Sequence, residues 1–357
     1  MNNSNNSGLR ILFAGSPVIA LPSLEIIAEH AKSGRWVLAG IVTNPDRCKG
    51  RGNRIEPSEV GCRAELIAEE FAALGLNVPV ILKPETLKAE ARAAVSTLNP
   101  DLLVSFAYGR IFGPLFMGLF PLGGINIHPS LLPKYRGASP IQEAILRQDD
   151  VSGISIQRIA PEMDSGNILA QIPIPLNGKE TTASLSSIAA VQGAQMLVDV
   201  LGQFEKGVPP EGVPQQGDAS YCTMLEKKSG LIDWNKSALE IDAQIRACNP
   251  WPLAHTIHNG QLLNILEAAP VSQTAAVSQT AATCAGSTPQ SDDSDTIAGV
   301  LPGGVLGIDK KSGILVKTGD GILAISLLQY QNRKTLPWQA FLNGARDFIG
   351  SCLTGGS

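Results

Sequence analysis

The sequence lacks the cysteine patterns that mark metal-binding and disulfide-bonded proteins. Its six cysteines are scattered over 357 residues, and no two of them form a Cys-x-x-Cys pair or another metal-binding spacing. They therefore indicate free thiols in a reducing compartment. We expect neither structural zinc nor disulfides, and we assign no metal site.

Long apolar runs are also absent. No stretch approaches the ~20 uninterrupted apolar residues of a membrane span. The segment Met1 to Ser7 is polar and has no apolar core of the kind found in signal peptides. We therefore expect a cytoplasmic protein that has no membrane partner.

The start of the chain lacks the glycine-rich signatures of nucleotide binding. The apolar run at 9–14 is followed by Gly15-Ser16-Pro17, a turn with a single glycine and not the spacing Gly-x-Gly-x-x-Gly. A glycine-rich cradle for phosphate groups is missing as well. The sequence therefore does not predict dinucleotide binding at this turn.

Positive charge is scarce overall but is concentrated in one place. With 28 Lys and Arg against 32 Asp and Glu, the net charge is −4, which argues against a general nucleic-acid binder. The segment 43–54 is the exception, because it combines one acidic residue, Asp46, with four basic residues: Arg47, Lys49, Arg51 and Arg54. Glycine and proline in this segment predict a mobile surface loop, and a solvated loop without function is the alternative.

The remaining composition is that of a globular protein with two domains. Hydrophobic residues make up 44% of the chain and charged residues 17%, which is ordinary for a soluble protein with a substantial core. The order strand, helix, strand over 9–43 predicts a doubly wound, Rossmann-like α/β domain. Short strands with glycine turns in the last part of the chain predict an OB-like β-barrel.

These patterns divide the chain at a segment rich in proline and glycine. We predict an α/β domain at 1–207, a linker at 208–218 and the barrel domain at 219–357. Between 271 and 297 the chain becomes a low-complexity repeat with little to bury, which predicts a disordered insertion between two strands of the barrel.

One stretch in the α/β domain places polar groups at the end of a strand. Residues 124–128 form a short apolar run, and the alternation of side chains along a strand puts Asn126 and His128 on the same face. Pro129 and Pro133 then end any regular ladder, because proline has no N–H to donate. Open α/β sheets bind their ligands at such strand ends, so this is the predicted site.

A carboxylate follows downstream in a turn between two strand-like runs, at Asp164. An imidazole, an amide and a carboxylate supply a proton carrier, an oxyanion donor and a group that sets the charge of the histidine. Together they suit acyl transfer. Each of the three residues alone has a plain structural alternative, such as a strand cap for Asn126 or an ordinary turn for Asp164.

The sequence resembles the 10-formyltetrahydrofolate-dependent formyltransferases, and in particular those that act on tRNA. The resemblance rests on five motifs: Asn126-x-His128, Ser130-Leu131-Leu132-Pro133, Arg136-Gly137-Ala138, Pro140-Ile141-Gln142 and Met163-Asp164-Ser165-Gly166.

The resemblance implies transfer of a formyl group from 10-formyltetrahydrofolate, as co-substrate, to the α-amino group of methionyl initiator tRNA. It implies catalytic roles for Asn126, His128 and Asp164. Asn126 and His128, the latter as an imidazolium, would donate hydrogen bonds to the oxyanion. Asp164 would raise the pKa of His128 and order a water molecule that relays protons. We expect a monomeric enzyme without a metal.

The resemblance also implies two binding regions. The folate is expected against the loop Ser130, Leu131, Leu132 and Pro133, and against the neighbouring strand end Phe106, Ala107, Tyr108 and Gly109. The tRNA is expected at the basic segment, through Arg47, Lys49, Arg51 and Arg54, and at Arg136.

Four alternatives stay open. Glycinamide ribonucleotide formyltransferases and formyltetrahydrofolate hydrolases share the Asn-x-His motif and the distant Asp. The former need a glycine-rich phosphate turn and would leave the C-terminal domain unexplained. A catalytically silent tRNA-binding protein is disfavoured because all three catalytic residue types are present. A formyltransferase of the same fold that acts on the amine of a sugar nucleotide is the fourth.

Overall fold

A computed structural model of the chain describes residues 8–49, 54–207, 209–271 and 299–355. The chain divides into two compact units. The first comprises the chain up to Pro140, Val151–Pro175 and Ser184–Thr223, and the second Ile141–Asp150, Leu176–Ala183 and the chain from Met224. The domain bounds given above stay a prediction. The predicted insertion at 271–297 lies outside the described residues from position 272 onward.

The first unit is built on a single large sheet. The elements up to residue 223 are, in chain order, β1 (Leu9–Gly15), α1 (Leu21–Lys32), β2 (Trp36–Val42), β3 (Arg47–Lys49), β4 (Arg54–Glu56), α2 (Glu59–Ala73), β5 (Val80–Leu82), α3 (Ala89–Thr97), β6 (Leu102–Phe106), α4 (Pro114–Met117), β7 (Gly124–His128), β8 (Arg136–Gly137), α5 (Pro140–Leu146), β9 (Val151–Arg158), β10 (Ile168–Pro175), α6 (Thr182–Glu205) and β11 (Tyr221–Cys222).

The order of the strands confirms the predicted doubly wound fold. The 7-stranded sheet has the order β10-β9-β7-β6-β1-β2-β5. The strands from β7 to β5 are parallel, and the hairpin of β9 and β10 adds two antiparallel strands. The chain winds outward from β1 in both directions, so the switch point lies between β1 and β6. Ligands bind beside the carboxyl ends of strands near such a point.

The helix α6 covers part of this sheet. Its Gly193 lies where an added Cβ would be 3.2 Å from Cγ2 of Ile127, so glycine allows the helix to approach β7 closely. By length and composition alone α6 could also cross a membrane. Half of its most apolar stretch is buried in the protein, and core helices of soluble proteins meet the same criterion.

The two described ends of the basic segment form a hairpin, whereas the sequence analysis predicted a loop. These ends, β3 and β4, pair as antiparallel strands with Arg47 opposite Glu56 and Cys48 opposite Ile55. Arg47 is exposed. At the base of this hairpin, Nζ of Lys83 lies 2.9 Å from Oδ1 of Asp46. Residues 50–53, which include Arg51, lie outside the described part of the chain.

The second unit is a small antiparallel barrel, as predicted. The elements after residue 223 are α7 (Ala238–Ala247), β12 (Ala254–His258), β13 (Gln261–Val271), β14 (Val305–Asp309), β15 (Gly313–Lys317), β16 (Ile322–Tyr330), β17 (Leu336–Pro337) and α8 (Trp338–Gly344). Their order is β12-β13-β16-β15-β14, with β17 beside β16. The C-terminal segment closes the barrel, because Thr354 bridges to Ile257 in β12 and Cys352 bridges to Gly304 beside β14.

Candidate active site

The end of β7 presents two polar side chains to one carboxylate. Asn126 and His128 are two residues apart on this strand and therefore share a face, as predicted. Nδ2 of Asn126 lies 3.5 Å from Oδ1 of Asp164, and Nδ1 of His128 lies 3.6 Å from Oδ2 of Asp164. The structure thus brings the three predicted catalytic residues together in the first unit.

Asp164 is held in place by neutral N–H donors. The main-chain N–H of Gly137 donates to Oδ2 over 2.9 Å, and Nε2 of Gln157 donates to Oδ1 over 2.9 Å. The longer contact from Asn126 is the third. All of these groups donate to oxygens that accept, which fits an ionised carboxylate. Because the donors are neutral, they do not cancel the negative charge of the carboxylate, and this charge acts on the ring of His128.

The hydrogen bonds of His128 fix which ring nitrogen carries the proton. Nε2 lies 2.9 Å from the main-chain oxygen of Tyr135. A carbonyl oxygen can only accept, so Nε2 is the donor in this bond. In the neutral ring Nδ1 then carries the lone pair, and it faces Asp164. The site therefore offers a basic nitrogen next to a carboxylate.

The charge state of His128 differs from the imidazolium that the sequence analysis assumed. The side chain is 4% exposed, and burial lowers the pKa of the ring because the charged form loses its hydration. The Asp164 carboxylate and the Tyr135 carbonyl act in the opposite direction and raise this pKa. The net direction of the pKa is downward, which favours the neutral ring at pH 7. Asp164 has the effect that was predicted, but burial outweighs it.

The predicted folate loop is fixed by a serine that the sequence analysis did not select. Oγ of Ser155 donates to the Ser130 carbonyl oxygen over 2.7 Å and accepts the Leu132 N–H at 3.1 Å. Nε2 of Gln171 reaches both the Ser155 hydroxyl and the Leu132 carbonyl oxygen, at 2.8 and 3.1 Å. The peptide bond between Leu132 and Pro133 is cis. The hydrogen bonds of Ser155 and Gln171 hold this loop in place beside β7.

The residues at the end of β6 divide between the core and the surface. Phe106 and Tyr108 are buried, while Ala107 and Gly109 are exposed with φ angles of 50° and 78°. The Tyr108 hydroxyl has no hydrogen-bond partner among the described residues, and burial raises the pKa of this phenol. Of the predicted slot residues, therefore, only Ala107 and Gly109 are exposed to solvent.

Arg136 lies close to the three residues, whereas the basic hairpin does not. Its neighbours Tyr135 and Gly137 bind His128 and Asp164. Strand β8, which contains Arg136, pairs with β11. The hairpin of β3 and β4 follows β2, which is separated from β7 by β6 and β1 in the sheet. The predicted tRNA contacts whose side chains the structure describes, Arg47 and Arg136, therefore lie in two separate places.

Sequence reasoning missed several polar residues that support the site. Ser155 and Gln157 are buried in the apolar strand β9. Polar residues within an apolar run were the one sequence pattern that could have indicated their role. Gln215 lies in the predicted linker, and Ser220 and Tyr221 lie at the start of the predicted barrel domain, where composition gives no such signal. Within the described residues, no group of His, Cys, Asp and Glu forms a metal site.

Comparisons with known proteins find similar sequences over nearly the whole chain. A family model described as "Formyl transferase" matches residues 10–201, and one described as "Formyl transferase, C-terminal domain" matches residues 224–346. A methionyl-tRNA formyltransferase of Treponema denticola is 42% identical over 341 residues, covering 96% of this chain and 98% of that protein. One of Borrelia hermsii is 37% identical over 343 residues, covering 96% of this chain and 99% of that protein.

A solved structure shares the fold. The crystal structure of HypX from Aquifex aeolicus in complex with tetrahydrofolic acid matches with a TM-score of 0.55 and 16% identity. The match covers 96% of this chain and 48% of HypX, so this chain corresponds to about half of that protein. At this identity the likeness concerns the fold alone.

The role of Ser155 is open to a direct test. Ser155→Ala leaves the buried Leu132 N–H and Ser130 carbonyl without their partner, which typically costs ~1–3 kcal/mol. We expect this loss in the free energy of unfolding, measured in urea, together with faster hydrogen exchange of the Leu132 amide. Ser152→Ala is the control, since Ser152 is buried in the same strand but forms no side-chain hydrogen bond within the described residues. Equal behaviour of the two variants would contradict the assignment.

Proposed function

The chain belongs to the formyl transferase family, among the methionyl-tRNA formyltransferases, and from this we propose that it formylates the α-amino group of methionyl initiator tRNA. The observation that carries the proposal is the convergence of Asn126, His128 and Asp164 in a chain 42% identical to such an enzyme over nearly its whole length. The formyl donor is a folate, and we propose 10-formyltetrahydrofolate.

His128 acts as the base in this proposal. Its Nε2 is engaged by Tyr135, so Nδ1 is the nitrogen that takes a proton from the attacking amine. The charge that the ring gains is stabilised by Asp164 at 3.6 Å, which raises the pKa of His128 against the effect of burial. The neutral resting ring is the form that this step requires. The proton can then pass from Nδ1 to the leaving nitrogen.

Asn126 supplies the oxyanion donor. Its Nδ2 makes a contact of 3.5 Å with Asp164, which is long for a hydrogen bond, so the amide can turn a proton toward a developing oxyanion at little cost. A preorganised donor of this kind is typically worth ~10²–10³ in turnover. Asp164 orients Asn126 and His128 and remains ionised through the reaction.

The residues fit a folate that presents its formyl group at the end of β7. The co-substrate supplies an activated formyl group on nitrogen, and the donor set of amide, imidazole and carboxylate matches the chemistry of its transfer. The wall of Ser130 to Pro133 and the exposed backbone at Ala107 and Gly109 would hold the ring system. The chain provides no metal in this proposal.

The acceptor is proposed to bind through positive charge at two places. Arg136 lies at the site itself, and Arg47 lies exposed on the hairpin. In an acidic protein, basic residues grouped at a few points suit a polyanion that is bound by its end and not along its length. An amine on a sugar nucleotide is the alternative acceptor, and its smaller charge would make little use of the hairpin.

The activity and the catalytic site can be tested together. With 10-formyltetrahydrofolate and methionyl initiator tRNA, we expect formyl transfer by the wild type. We expect kcat to be lower by ~10²–10³ in Asn126→Ala, and by at least as much in His128→Ala and Asp164→Asn. His30→Ala is the control, because His30 packs against Trp36 with tilted rings, outside the site. A wild type that formylates only an amino sugar nucleotide would refute the acceptor, and full activity of His128→Ala would refute the site.

The hairpin assignment predicts a defect confined to tRNA. Changing Arg47, Lys49 and Arg51 to Ala should raise KM for the tRNA and leave KM for the folate unchanged. The slope of log affinity against log salt should fall by ~0.7–0.9 for each phosphate contact that is lost. Lys88→Ala, which removes an exposed charge at the start of α3, should leave both KM values unchanged. Equal tRNA use by the triple variant and the wild type would contradict the assignment.

A further inference from the structure

Gln215 makes more hydrogen bonds around the candidate site than its position in a predicted linker suggests. Its Nε2 donates to the main-chain oxygens of Asp164 and Gly166, at 2.7 and 2.9 Å. The same nitrogen lies 3.3 Å from Oε1 of Gln157. Its Oε1 accepts two bonds from Arg136, at 3.1 Å from Nε and 2.6 Å from Nη2. One amide thus joins the turn of Asp164 to the guanidinium of Arg136.

The segment that contains Gln215 is anchored and does not act as a free tether. Val213 and Ile168 exchange two main-chain hydrogen bonds of 2.9 and 2.8 Å, which adds this segment to the edge of β10. Arg158 donates to the Pro210 carbonyl oxygen over 2.8 Å from Nη2. These contacts bring Gln215 beside the turn that carries Asp164, and they all lie within the first unit.

The turn at Asp164 needs such support. Asp164 has a φ of 52°, in the left-handed region that residues other than glycine rarely adopt. Gly166 lies against the Arg158 carbonyl oxygen so closely that a Cβ would overlap it. A donor that binds the carbonyl oxygens on both sides of Ser165 keeps this turn in its unusual conformation. It thereby keeps the carboxylate directed at His128.

The opposite end of the Gln215 amide acts on Arg136. Within the described residues this guanidinium has no carboxylate partner; it is bound by the Gln215 oxygen and by the Tyr221 hydroxyl at 3.2 Å. Neutral acceptors orient a guanidinium without cancelling its charge. Arg136 therefore remains available to an anionic group of the acceptor, in an orientation that is fixed relative to Asp164.

We propose that Gln215 is a positioning residue that holds Asp164 and Arg136 in one hydrogen-bonded unit, so that the segment following the catalytic sheet completes the active site. This inference rests on the proposed function for its meaning in catalysis. Gln215 itself touches neither substrate nor the reacting atoms; it acts through the two residues that it holds.

Two variants of similar size separate the two halves of this role. Gln215→Met removes all the polar contacts, whereas Gln215→Glu keeps an acceptor for Arg136 but cannot donate to the Asp164 and Gly166 carbonyls when ionised. We expect kcat for formyl transfer to fall by about tenfold to hundredfold in both, because a small displacement of a catalytic group has effects of this size. KM for the tRNA should rise in both variants, because Gln215→Met no longer orients Arg136 and the carboxylate in Gln215→Glu cancels its charge. KM for the folate should change in neither.

A second readout does not depend on the acceptor. If the turn moves, Asp164 raises the pKa of His128 less, so this pKa should be lower in Gln215→Met than in the wild type, by NMR titration of the free protein. Gln216→Met changes the exposed neighbour of Gln215 and should be silent in every measurement. A wild type that is inactive on methionyl-tRNA would refute the proposed function. The measured pKa of His128 would still decide the role of Gln215.

The outcomes divide clearly. A lower kcat at an unchanged melting temperature, or a lower pKa of His128, supports the proposal. Wild-type kcat together with a wild-type pKa overturns it. The proposal is also overturned if both variants lower kcat and lower the melting temperature by the same number of degrees while the pKa of His128 is unchanged. Gln215 would then serve only to pack the segment.

Discussion

The site depends on how one carboxylate is held. Asp164 is bound through N–H donors that are all neutral, from the main chain of Gly137 and the side chains of Gln157 and Asn126. A cation in their place would have neutralised the carboxylate and weakened its field at His128. Each donor belongs to a different element, so the carboxylate also joins β7, β8 and β9 at one point. The chemistry of the site and the arrangement of its strands thus rest on the same contacts.

The opposition between burial and charge at His128 follows from this arrangement. A buried imidazole prefers to be neutral, and a nearby carboxylate favours the charged ring. Burial is the larger effect, so the pKa of His128 is lowered and the neutral ring is favoured. The Tyr135 carbonyl determines which nitrogen is the base, since it occupies Nε2. The same loop residue is followed directly by Arg136, so the residue that binds His128 and the arginine that Gln215 binds are adjacent in the chain.

The parts of the molecule that follow local rules could be predicted from the sequence. The face shared by Asn126 and His128 follows from the twofold alternation of a strand, and the parallel sheet follows from apolar runs separated by helices. Strand β12 was not predicted, because its buried positions are Ala254, Thr256 and His258 and show no apolar periodicity. The neutral His128 and the role of Gln215 depend on burial and on contacts distant in sequence. Neither leaves a pattern in the amino-acid order.

The central claim is that His128 rests neutral with its proton on Nε2 beside an ionised Asp164, and nitrogen NMR of the protein with labelled histidine tests it most directly. The chain has only four histidines, so a His128→Ala spectrum identifies the signal. At pH 7 we expect the neutral Nε2–H tautomer and a pKa below the usual value of about 6.5, falling further in Asp164→Asn. An imidazolium at pH 7, or the Nδ1–H tautomer, would contradict the account.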